Sequence, residues 1–69
     1  MNKKSFIESV NEVLDFEDPR MSLHLKSGTV IRVMANKKTI RESFVVFPAE
    51  YDNSPAYIVP YEAIEYITF

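Results

Sequence analysis

Few residues of this chain could do chemistry, and their spacing argues against catalysis. His24 is the single histidine, and Glu62 and Glu65 stand three positions apart with no other acid, base or nucleophile placed to join them. There is no cysteine, which removes disulfides, thiol catalysis and cysteine-type zinc sites together. One histidine does not make a metal site by itself. No glycine-rich phosphate loop occurs, and no Ser/His/Asp spacing. His24 falls on the polar face of its segment and reads as a solvated side chain. The expectation is a protein that is not an enzyme and has no cofactor and no metal.

What remains is charge. The formal net of −2 divides unevenly along the chain. Residues 1–19 carry a net of −3. Residues 20–41 hold Arg20, Lys26, Arg32, Lys37, Lys38 and Arg41 with no acid, a net of +6. Residues 42–69 hold Glu42, Glu50, Asp52, Glu62 and Glu65 with no base, a net of −5. A block of one sign can put a local field on one rim of a small fold, where it would attract phosphate. The same pattern also arises when neighbouring strands set basic side chains against acidic ones. Both readings stand at this point.

The elements that position these charges follow from periodicity. Phe6, Ile7, Val10, Val13 and Leu14 recur at helical spacing, so residues 5–14 are expected to form an amphipathic helix. Ser5 and Glu8 fit the capping box that satisfies the first turn's amides. The acids of Asp15 to Asp18 oppose the negative end of the helix dipole, and Pro19 disfavours helix at Asp18. Arg20 to Lys26 alternates, with Met21, Leu23 and Leu25 on one face, as a half-buried strand does. Ser27-Gly28 is a tight turn holding the only glycine, the place where positive φ is expected. Thr29 to Ala35 reads as the second strand, 36–42 as a polar basic loop, and Ser43 to Phe47 as the third strand. A polar loop over 50–55 follows.

The last fourteen residues organise the whole. Two runs rich in β-branched and aromatic residues, 56–59 and 64–69, flank the hinge Pro60-Tyr61-Glu62-Ala63. Pro60 has no N–H to give a ladder, so the first of these strands stops there, and its fixed φ suits a single tight turn. The closing strand is expected to leave an edge uncovered, which marks a subunit interface.

The chain is read as a single domain, 1–69. A domain of this size without disulfide or metal tends to lean on oligomerisation. No stretch nears the ~18 continuous apolar residues of a membrane span. Glu8 and Glu12 interrupt the only early apolar pattern, against a signal peptide. A cytoplasmic protein with no membrane partner is expected. One helix followed by five short antiparallel strands implies a mainly β fold, a small and strongly bent barrel.

This order of elements resembles the Sm-like family of Sm, LSm and Hfq proteins. The segment Leu23-His24-Leu25-Lys26-Ser27-Gly28-Thr29-Val30-Ile31 is similar to the first Sm motif, a strand, a turn and a second strand. Ser43-Phe44-Val45-Val46-Phe47 resembles the Phe-Val-Val/Ile-Leu-Leu run of bacterial Hfq. Tyr61-Glu62-Ala63-Ile64-Glu65-Tyr66-Ile67 is similar to the second motif. The resemblance covers nearly the whole chain and implies a five-stranded antiparallel SH3-like barrel with an N-terminal α-helix. It implies self-association into a ring of about five to seven copies, the penultimate strand pairing with the neighbour's last. Tyr57, Ile58, Val59, Ile64, Tyr66 and Ile67 would then form the oligomer interface. It further implies single-stranded RNA as a partner, in RNA metabolism or regulation. Phe44 matches the family's base-stacking aromatic, Ser43 the position before it, and Tyr61 the opening of the second motif. Asn36, Lys37, Lys38 and Arg41 lie in the adjoining loop, where they would hold phosphates. One departure bears on this: Glu62-Ala63 stands where Hfq has Lys-His, and a carboxylate repeated around a pore repels phosphate. The alternative is an oligomeric SH3-like assembly module that binds protein and no nucleic acid.

Overall fold

A computed structural model describes every residue, Met1–Phe69. The helix α1 spans Lys3–Leu14, two residues earlier than periodicity placed its start. Its cap is Asn2, whose Oδ1 accepts the Ser5 N–H at 2.8 Å. The capping box on Ser5 does not form. Ser5 lies inside the first turn, and Ser9 Oγ donates to its carbonyl at 2.9 Å. An asparagine side chain reaches the third residue beyond it as a serine would, so the two registers look alike in sequence. The buried stripe is Phe6, Val10 and Val13, while Leu14 is left exposed.

Six strand segments follow: β1 Arg20–Leu25, β2 Val30–Met34, β3 Thr39–Ile40, β4 Phe44–Phe47, β5 Tyr57–Pro60 and β6 Ile64–Thr68. The turn between β1 and β2 carries Gly28 at φ 92, the chain's one positive φ. A single 3-10 turn, Tyr61–Ala63, joins β5 to β6, and Pro60 ends β5.

Two expectations are corrected. The basic stretch 36–42 is not all loop, because Thr39 and Ile40 pair with Val46 and Val45. The chain therefore has six strand segments rather than five. The strands also form two three-stranded antiparallel sheets, ordered β2-β1-β6 and β3-β4-β5, and no closed barrel. The turn at Ala35 to Lys38, closed by the Lys37 N–H to the Met34 carbonyl at 3.1 Å, separates β2 from β3 and sends them into different sheets. The 3-10 turn does the same for β5 and β6.

The core fills the space between the sheets and the helix. Met21, Leu23, Ile31 and Val33 come from the first sheet, Val45, Phe47 and Val59 from the second, and Phe6, Val10 and Val13 from α1. Phe6 anchors the helix, its ring centroid 6.5 Å from Phe47 and 5.3 Å from Tyr61. Full burial of a phenylalanine stabilises by roughly 1.5–3 kcal/mol. Ser22 is the one buried polar residue, and its Oγ accepts from Arg32 Nη1 at 3.0 Å. No buried side-chain nitrogen or oxygen lacks a partner.

Candidate nucleic-acid and assembly interface

The short strand β4 decides where the expected RNA-binding residues go. At its start the backbone gathers several of them. The Arg41 N–H donates to the Phe44 carbonyl at 2.9 Å, and the Tyr61 N–H donates to the Ser43 carbonyl at 3.3 Å. The Tyr61 hydroxyl donates to the Arg41 carbonyl at 2.7 Å. Phe44 lies opposite Pro60 and is half-buried, while Arg41 and Ser43 are exposed. Arg41, Ser43, Phe44 and Tyr61 thus form one cluster.

Asn36, Lys37 and Lys38 do not join it. Thr39 pairs with Val46, so the residues before it lie toward Phe47, at the far end of β4. At ~3.4 Å per residue, three residue steps put the two ends roughly 10 Å apart. Sequence proximity hid this, because a hairpin keeps the residues beside its turn together and carries those before its first strand to the far end of the second.

Tyr61 is also unavailable for stacking. It is 3% exposed, with its ring against Phe6 and its hydroxyl on Arg41. Around the cluster the charges are mixed. Lys3 Nζ lies 3.3 Å from Glu42 Oε2, and Lys3, Glu42 and Glu62 line one shallow depression with Ser43. Lys3 was not singled out by sequence. Its signal is a cation in the first turn of the helix whose Phe6 packs against Tyr61.

The expected interface residues divide by the alternation of their strands. On β5, Val59 is buried in the chain's own core, and on β6 so is Ile64. Their side chains face inward and have no surface for a partner. Ile58 is 68% exposed and Tyr66 49% exposed, while Tyr57 and Ile67 are half-buried.

Backbone phase then shows which groups are free, because bonded and non-bonded pairs alternate in an antiparallel ladder. The Tyr61–Ser43 bond makes Val59–Val45 and Tyr57–Phe47 the bonded pairs of β5. Ile58 therefore turns its N–H and C=O away from β4. Pro60 shares that outward phase, so its missing donor faces the free edge and costs no ladder bond. On β1 the odd residues face β2, which leaves Ser22 and His24 to bond Thr68 and Tyr66. Ile67 then faces the outer edge of β6. Neither edge is paired in either sheet.

His24 is less free than its polar position implies. Its ring stacks on Tyr66 at 4.2 Å and 10°, and Nε2 lies 2.7 Å from Thr68 Oγ1. No helix of the chain is long and apolar enough to cross a membrane. No three of its His, Asp and Glu side chains gather into a group that could hold a metal ion. No family model matches the chain, nor does any curated protein or solved structure match it.

Proposed function

We propose that this chain is the subunit of an Sm-like cyclic oligomer that binds single-stranded RNA in the cytoplasm. The observation that carries the reading is the pair of unpaired strand edges on β5 and β6, each with an exposed apolar side chain, Ile58 and Tyr66. Pairing β5 of one copy with β6 of the next satisfies both of these edges, and ring closure does so for every copy. The helix, the two sheets and the 3-10 turn between the last strands are the features that favour an SH3-like, Sm-like ancestry over an isolated β module.

RNA enters through the cluster at the start of β4. Phe44 offers a ring for a base and Arg41 a cation for phosphate, with Lys37, Lys38 and Asn36 a second contact at the other end of the strand. Base stacking on an aromatic contributes roughly 1–3 kcal/mol per base. Native mass spectrometry at micromolar concentration tests the ring, with about five to seven copies expected. A monomer would overturn it. Titration with oligo-U at rising salt tests the RNA, because phosphate contacts weaken steeply with ionic strength. Arg41→Glu with Phe44→Ala is expected to abolish binding.

One observation favours a second reading, an assembly module without nucleic acid. Tyr61 is committed to the fold, and Glu42 and Glu62 flank the cluster with two carboxylates. A ring that shows no retardation of oligo-U at low salt decides for this reading.

A further inference from the structure

The outer edge of β2 is a third free edge, away from β5 and β6. The Leu25 N–H to Thr29 carbonyl bond at 2.9 Å and the Ala35 N–H to Pro19 carbonyl bond at 2.8 Å fix the phase of this ladder. Ile31 and Val33 bond toward β1, so Val30, Arg32 and Met34 turn their N–H groups away from the sheet. The Met34 carbonyl is taken by Lys37, but Arg32 presents both a donor and an acceptor. No strand pairs with this edge.

A groove runs beside it. Arg32, Met34 and Lys37 form the near wall, and Pro48 and Glu50 of the segment between β4 and β5, with Tyr57 at the start of β5, form the far wall. Its continuation adds Arg20 and Tyr51. Three cations thus line the groove against one acid, Glu50. The chain's only ion pairs are Lys3–Glu42 and Arg20–Asp18, the latter 3.5 Å apart and exposed, so Arg32, Lys37 and Glu50 are all without an ionic partner. Arg32 is nevertheless held in place, because Nη1 donates to the buried Ser22 Oγ at 3.0 Å.

We propose that this groove takes an extended acidic peptide, which adds as a further strand to the edge of β2. The edge itself selects a peptide. Its alternating donors and acceptors match another peptide backbone, whereas a phosphodiester offers acceptors only and leaves the Arg32 carbonyl without a partner. The cations select the side chains. Successive residues of a strand point to opposite faces, so acids at every second position meet Arg32 and Arg20, which share the outer face of their sheet. The intervening side chains turn toward Phe47, Pro48 and Tyr57, which suits small apolar groups such as valine. Glu50 repels an uninterrupted acidic run and so favours this alternation.

The proposal goes beyond the ring and RNA reading and does not depend on it. The test uses the full chain and an end-capped hexapeptide alternating Glu and Val, followed by fluorescence anisotropy and by hydrogen exchange at single amides. The Glu peptide is expected to bind and to slow exchange at the Arg32 and Met34 amides, while a Lys-Val hexapeptide does neither. Arg32→Glu is expected to weaken binding by about tenfold or more, since it removes a charge-assisted contact and sets like charges together. Arg32→Lys keeps the charge, retains most of the binding and checks that the fold tolerates change there. Absence of binding overturns the proposal, and so does binding that leaves the Arg32 amide unprotected. Preference for oligo-U over the peptide in this groove overturns it as well. Repeating the titration on Ile58→Pro separates the two readings, because that variant removes a β5 edge donor and leaves β2 unchanged.

Discussion

In the turn after β5, Tyr61 is 3% exposed, its ring 5.3 Å from Phe6 and its hydroxyl 2.7 Å from the Arg41 carbonyl. Tyr66, on the strand that follows, is 49% exposed and stacks only on His24 at the surface of an edge strand. The same residue type therefore closes the fold in one place and leaves it open in the other. Where the chain turns, the Tyr61 N–H and hydroxyl both find internal partners and Phe6 of the helix packs on its ring. Where the chain runs straight at an edge, one side of the backbone bonds β1 and the other side is left for a partner. Internal bonding in this small domain is concentrated at the first region, and unpaired backbone groups are left at the second.

That contrast breaks most visibly at Phe6, which joins α1 to Phe47 and Tyr61. Phe6→Ala is expected to cost about 3–5 kcal/mol, because it removes a fully buried ring and leaves a cavity between helix and sheets. Chemical denaturation measures it, and an unchanged midpoint would mean that the helix is not docked on the sheets.

At the open region, Ile58→Pro deletes an outward-facing N–H of β5 and no bond to β4. Assembly is expected to be lost, as read by native mass spectrometry, while the circular dichroism of the fold persists. If the variant assembles like the parent chain, β5 is not the joining edge. Tyr66→Pro makes the complementary case. The Tyr66 N–H faces His24, so this substitution breaks the internal ladder and is expected to unfold β6 as well as prevent assembly.

A finer probe returns to the closed region. Tyr61→Phe removes only the bond to the Arg41 carbonyl and is expected to cost about 1 kcal/mol in unfolding free energy. A cost near zero would show that water replaces the hydroxyl and that Arg41 is held by its Phe44 bond alone.

The smallest effect concerns the helix start. Asn2→Ala is expected to cost about 1 kcal/mol and Ser5→Ala clearly less, since Asn2 Oδ1 is the cap. The reverse order in thermal unfolding would restore Ser5 to the capping position.

Much of this architecture was legible in the residues. The helical recurrence of Phe6, Val10 and Val13 located α1 and its buried face. Alternation located β1, Gly28 marked the positive-φ turn, and Pro60 marked the end of β5. Each of these is a local rule, in which the period of apolar residues or the φ of one residue decides the outcome within a few positions. The candidate site was less legible. Arg41, Ser43, Phe44 and Tyr61 converge at the start of β4, but Lys37 and Lys38 lie at its other end, where Lys37 shares a groove with Arg32.

The sequence by itself determined the helix, the five longer strands and their order, and the divided charge that sets six cations between two acidic blocks. Only the tertiary structure decided which Tyr is buried, which strand edges are free, and which cations meet. Those outcomes depend on pairing between residues far apart in the chain. A ladder's phase, set by single bonds such as Tyr61 to Ser43 and Ala35 to Pro19, fixes which backbone groups face outward. A shift by one residue would exchange every inward and outward group, so local pattern shows that a face exists and long-range register decides where it points.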